Sequence, residues 1–369
     1  VKGRSSRIVM KSGKEQTIHT LSESDAQSLR SQGFTNGLIE ALQQNSAMIP
    51  LRIWVVDNSG SMCKGDGKRM ISPKKNKRDI RLVSCTRWTE IQETVDYHAE
   101  MARLIQVPTI FRLLNDPGRA AGEQQFSIGE RGPDMLDEDL RIARQTMRNA
   151  QPSGVTPLSL HVHEIRQNVQ ALLPQLQESG GKVAIVLATD GLPSDDRGYS
   201  SASARREFQD ALRSLEGLPV WIVVRLCTDE DSVVEYYDDL DAHLERSLEV
   251  LDDFSGEAKQ IHEHNSWLNY ALPLHRMREM GFHHRLFDLL DERPFTKDEL
   301  RDFMFLLFGS AKFDGVEDPQ VDFDSFCKSI EQILRSESHQ WNPMTKYMGP
   351  WVDMKKLKKQ YGKSTCTIM

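Results

Sequence analysis

The sequence predicts an α/β fold: a doubly wound, mostly parallel sheet carrying an all-helical C-terminal extension. Two observations predict it. Short β-branched apolar runs alternate with segments of helical period as far as residue 255, and strands alternating with helices build a mostly parallel sheet covered on both faces. Beyond about residue 256 the strand signal stops and helical periodicity continues alone.

The elements follow in chain order. Residues 1–30 are polar with few apolar anchors and read as a flexible leader. Phe34, Leu38, Ile39 and Leu42 predict a helix before Pro50. Leu51–Val56 is nearly continuous and apolar, as a strand buried on both faces should be. Thr86–Ile105 sets Trp88, Ile91, Val95, Ala99, Ala102 and Ile105 at steps of three and four, which makes an amphipathic helix. Thr109–Leu114 and Gln125–Ile128 read as strands, and Leu136–Asn149 as a helix. Leu158–Leu176 carries one apolar stripe, with Pro174 expected to kink its end. Val183–Ala188 and Val220–Leu226 are strands around a helix at Arg205–Leu215; Ser232–Leu244 is a helix and Leu248–Leu251 a last strand. Helices follow at Trp267–Met280, Arg285–Leu290, Lys297–Phe308 and Phe323–Leu334. The expected organisation is thus a leader (1–30), an α/β domain (31–255), a helical extension (256–346) and a basic tail (347–369).

Composition narrows the class. With 38% hydrophobic and 27% charged residues the chain is globular rather than disordered. A net charge of −7 argues against a uniformly basic nucleic-acid binder, so no nucleic-acid partner is expected. No apolar run approaches the ~18 residues of a membrane-spanning helix. Cys63, Cys85, Cys227, Cys327 and Cys366 are odd in number, scattered and never in C-x-x-C, which argues against a disulfide framework or zinc cluster.

Three loops carry the chemistry. The first strand ends in Asp57-Asn58-Ser59-Gly60-Ser61, the strand at 183–188 ends in Thr189-Asp190-Gly191, and Ser153-Gly154-Val155-Thr156-Pro157 precedes the helix at Leu158. Open α/β sheets bind ligands at the carboxyl ends of their strands. Asp, Ser and Thr oxygens converging there suit Mg²⁺ or Mn²⁺.

These residues resemble the von Willebrand factor A (vWA) family and its metal-ion-dependent adhesion site. The family pattern is D-x-S-x-S, a distant Thr and a distant T-D-G; here it reads Asp57, Ser59, Ser61, Thr156 and Asp190, within residues 45–255. The resemblance implies that Ser59, Ser61 and Thr156 touch the metal through hydroxyls, with Asp57 and Asp190 bound mainly through water. It also implies that the sixth position takes a carboxylate from a partner protein. One departure is an insertion, Cys63–Cys85, which holds Lys64, Lys68, Arg69, Lys74, Lys75, Lys77, Arg78 and Arg81. It is expected on the rim of the metal face, either as a basic lip steering acidic partners or anionic headgroups or as a plain solvated hairpin.

The sequence closes on Cys366-Thr367-Ile368-Met369, which resembles a C-a-a-X prenylation box of the farnesyl type. Lys355, Lys356, Lys358, Lys359 and Lys363 would supply the second signal that one lipid chain needs for stable attachment. The expected location is peripheral, on the cytosolic face of a membrane. Weaker signals are set aside. The stretch Asp314–Ser325 has the spacing of a calcium loop but places Val316 and Pro319 at ligand and turn positions. His161 with His163 and His262 with His264 read as ordinary polar residues.

The expected function is non-enzymatic: a Mg²⁺-dependent adaptor or scaffold that captures a partner carboxylate. Two rivals are kept: a peripheral anionic-lipid binder with a structural metal site, and a metal-dependent hydrolase.

Overall fold

The computed structural model describes residues 21–71, 80–244 and 248–362. Its centre is a six-stranded sheet built from β1 (Leu51–Val56), β4 (Thr109–Leu113), β5 (Gln125–Ile128), β6 (Val183–Thr189), β7 (Val220–Leu226) and β8 (Leu248–Leu251), in the order β5-β4-β1-β6-β7-β8. All neighbours pair in parallel except β4 with β5, whose short connection makes them antiparallel. The register sets Trp54 between Phe111 and Val186.

Strand residues point alternately to opposite faces, and the cores divide accordingly. Leu51, Ile53, Val55, Val183, Ile185 and Leu187 pack with α5 (Leu158–Ser179), α6 (Ala202–Arg213) and α7 (Asp231–His243). Trp54, Val56, Val186 and Ala188 pack with α3 (Arg87–Ile105) and α4 (Leu136–Asn149). The insertion after β1 forms a two-stranded antiparallel hairpin from β2 (Gly67–Ile71) and β3 (Arg81–Cys85). Helix α5 continues past Pro174 to Ser179, longer than the sequence pattern predicts.

The helical layer comprises α1 (Glu23–Ser31), α2 (Asn36–Met48), α8 (Phe254–His264), α9 (Leu272–Glu279), α10 (Arg285–Glu292), α11 (Lys297–Phe308), α12 (Phe323–Ser336) and α13 (Met354–Tyr361). Four readings of the sequence change here. Part of the expected leader is helix α1, capped by Ser22, with Ala26 and Leu29 buried; residues 1–20 lie outside the described residues. The division at 31–255 also shifts, because α2 packs against α11. Gly37 lies so close to the Leu306–Gly309 backbone that an added Cβ would sit 2.4 Å from the Gly309 nitrogen. Trp267–Met280 is not one helix. Its helical part starts at Leu272 on Pro273, and α8, where the sequence pattern predicts no helix, precedes it. Finally, the tail is packed through Gly362: β9 (Gln340–Trp341) pairs with β10 (Met348–Gly349), and Trp351, Val352 and Leu357 are buried.

Part of this layer sits at the beginnings of the strands. The Arg52 guanidinium donates to the Met280 carbonyl at 3.0 Å, and the His283 ring lies 3.7 Å from that of Trp221. The carboxyl ends of the strands are at the far end of the sheet.

A buried polar knot joins the layer to the sheet. Glu279 is fully buried, with His98 Nε2 at 3.1 Å and the Arg276 guanidinium at 2.7 Å. Arg225 also contacts it at 3.3 Å. Burial lowers the His98 pKa to about 4, against the opposing pull of Glu279. An unfolded His titrates near 6.5. Between these values the unfolded chain holds a proton that the native His98 refuses, so stability falls as pH drops through that window, by about 3 kcal/mol in full. We expect the urea midpoint to drop between pH 6.5 and 4.5, and to drop less in His98→Gln. Parallel pH profiles for the two proteins would remove His98 from this account.

Candidate metal site

β1, β6 and the loop before α5 deliver the sequence-predicted residues to one place. Asp57 follows β1 directly and its backbone N–H continues the sheet by donating to the Ala188 carbonyl at 2.9 Å. Its carboxylate accepts the Ser59 backbone N–H at 2.8 Å and the Thr189 hydroxyl at 2.6 Å. The hydroxyls of Ser59 and Ser61 are 2.9 Å apart, and Ser61 donates to Asp190 at 2.8 Å. Four of the five residues therefore form one hydrogen-bonded oxygen cluster.

Thr156 reaches the same place through backbone bracing. The Gly60 N–H donates to the Gly154 carbonyl at 3.3 Å and the Ser153 N–H to the Asn58 carbonyl at 2.7 Å. Asn115 ties both loops together: its N–H donates to the Asn58 side chain at 2.7 Å, and its amide donates to the Val155 carbonyl at 2.8 Å. Gly154 has φ +87°, and a Cβ there would lie 2.5 Å from the Asn115 side-chain oxygen, so this crossing requires glycine. Thr156 is buried, and its N–H donates to Ser194 at 3.0 Å. A Cβ built on Gly191 would lie 3.7 Å from the Thr156 hydroxyl, which places that oxygen beside the loop bearing Asp190. Tyr237 holds the same loop by donating to the Gly191 carbonyl at 3.0 Å.

The donor set is all oxygen, three hydroxyls and two carboxylates, and it fits a hard divalent cation. Asp57 is fully buried; burial first, and the charge of Asp190 second, push its carboxyl up to about 6. Two carboxylates forced together in a dry site are stabilised by a cation. Among the described residues, no three His, Cys, Asp or Glu side chains gather in a way that could hold a metal. His161 is buried with its ring 3.0 Å from the Leu114 carbonyl, and Asp322 caps α12 by accepting the Ser325 N–H at 2.9 Å.

Arg87 was not among the residues singled out in the sequence. It is the first residue of α3 and its side chain is fully buried. It donates to Asp190 at 2.9 Å, to Asp66 of the insertion through a two-pronged contact, and to Glu230 beyond β7 at 2.7 Å. Burial opposes its charge, but the three carboxylates outweigh burial and raise its pKa. One signal could have found it: a cation in the first turn of a helix opposes the helix dipole, so it needs acidic partners from elsewhere.

The described part of the basic insertion is paired within the chain. Lys64 contacts Glu230, Lys68 contacts Asp253 at 2.8 Å and Asp229 at 3.7 Å, and Arg69 contacts Glu93 at 3.0 Å. The acidic segment around Asp229–Asp253 thus meets its basic complement inside the same molecule. Lys74, Lys75, Lys77, Arg78 and Cys366 lie outside the described residues. On α13, Leu357 is buried, Lys358 pairs with Glu331 at 2.7 Å, and Lys355 and Lys359 are exposed. No described helix is long and apolar enough to cross a membrane. No family model matches the chain, and no curated protein matches it.

Proposed function

We propose that the chain is a doubly wound, vWA-type module that holds Mg²⁺ or Mn²⁺ and uses it to capture an Asp or Glu side chain of a partner protein. The observation that supports this most directly is the chain of oxygens Ser59–Ser61–Asp190, closed on the Asp57 side by Thr189, at the carboxyl ends of β1 and β6. In this reading Ser59, Ser61 and Thr156 hold the cation through hydroxyls while Asp57 and Asp190 supply the negative charge. The bound cation supplies an electrophilic position for the incoming carboxylate, which is binding chemistry and not catalysis. The contacts that Arg52 and Trp221 make with the helical layer lie at the strand beginnings, at the opposite end of the sheet from this cluster. As part of the same proposal, the exposed lysines of α13 favour a peripheral seat on an anionic membrane face.

The test is capture from native extract in Mg²⁺ against EDTA, with wild type, Thr156→Ala and Asp190→Ala. We expect a set of partners that Mg²⁺ retains and EDTA releases, lost at least tenfold in both variants. A partner set indifferent to chelation and to both substitutions would overturn the reading.

A further inference from the structure

We propose that Arg87 is a positioning residue that restrains Asp190 and lowers the affinity of the oxygen cluster for a divalent cation. The inference rests on the metal reading above and deepens it.

The geometry is specific. Asp190 has two carboxylate oxygens: one accepts the Ser61 hydroxyl at 2.8 Å, and the other accepts the Arg87 guanidinium at 2.9 Å. The ion pair is dry, with both side chains fully buried. A fixed positive charge in direct contact with a cluster carboxylate repels an incoming dication and competes with it for that carboxylate, and low local dielectric strengthens both effects. Asp66 and Glu230 bind the other side of the guanidinium, so it cannot swing away at little cost. Asp66 belongs to the insertion, and Glu230 is held in turn by Lys64 of the insertion. The cation affinity of the cluster is therefore set in part by a segment outside it.

The experiment is Mn²⁺ titration, followed by electron paramagnetic resonance of the free ion, on the full chain of wild type, Arg87→Gln and Arg87→Lys. Arg87→Gln keeps hydrogen-bond donors and removes the charge; we expect at least tenfold tighter binding, about 1.4 kcal/mol. Arg87→Lys keeps the charge and should stay within about threefold of wild type. Equal or weaker binding in Arg87→Gln overturns the inference while leaving the metal reading standing. Absence of Mn²⁺ binding in both wild type and Arg87→Gln overturns both. A purely structural Arg87 predicts weaker binding in Arg87→Gln and no rescue by Lys. Should Arg87→Gln fail to fold, the wild-type protein gives the answer: the Arg87 Nε–H resonance shifts on Mg²⁺ titration with the midpoint of binding, and an unmoved resonance at saturation overturns the inference.

Discussion

Arg278→Met is expected to destabilise the protein by about 3–5 kcal/mol at pH 8, as removal of one partner from a buried ion pair does. The Arg278 side chain is 4% exposed and serves three carboxylates on three elements: Glu257 on α8, Glu249 on β8 at 2.7 Å, and Asp291 on α10 at 3.4 Å. Burial pushes Glu257 up to about 8 and raises Glu249 even with the guanidinium present. Without it, two dry carboxylates face each other. Their remedy is protonation, so the loss should shrink on going from pH 8 to pH 6. Urea unfolding at the two pH values measures this. A further change of Glu257→Gln in the Arg278→Met background should recover part of the loss at pH 8, since it removes a stranded charge. A loss under about 1 kcal/mol at pH 8 would mean that water reaches these carboxylates.

Trp351→Ala is expected to cost about 3–5 kcal/mol, the range for truncating a buried aromatic residue. Trp351 is fully buried in the helical core beside Trp267, Leu268 and Leu357. Its carbonyl accepts the Asn269 N–H at 2.9 Å, so the backbone is fixed as well as the ring. An unstructured basic tail would show almost no change. Urea midpoints of the two proteins decide between these outcomes, and a shift within error would remove residues 347–362 from the core.

What the sequence disclosed and what it withheld divide along physical lines. β1, β6 and β7 were legible because buried strands leave dense β-branched runs such as Val183–Thr189, β4, β5 and β8 as shorter apolar-bearing runs between helices, and α3, α4 and α11 because their apolar stripes repeat at helical spacing. Asp57, Ser59, Ser61 and Asp190 were legible as a cluster because strand ends in a parallel sheet share one edge. The location of α2 was not legible: a helix stripe says that a face is buried, not against what. Gly37 meets Gly309 across more than 270 residues of chain, and no local pattern encodes such a partner. Trp351 and Leu357 stand among lysines that mask their burial. The first-turn position of Arg87 signals a need for acidic partners, but not which ones, since Asp66, Asp190 and Glu230 converge on it from three separate loops.

Helix α3 has 19 residues, a length of about 28 Å at 1.5 Å per residue. Arg87, at its start, grips the carboxylates of the candidate site, while Met101, Leu104 and Ile105, at its end, are set in the helical core. Between them Trp88, Ile91, Val95, Ala99 and Ala102 clamp it to the sheet. An α-helix cannot shorten without breaking its own hydrogen bonds, so α3 acts as a strut. The edge of the sheet that bears Asp190 and the helical layer are therefore tied to one rigid element, and the ion pair between Arg87 and Asp190 is the joint at its first end.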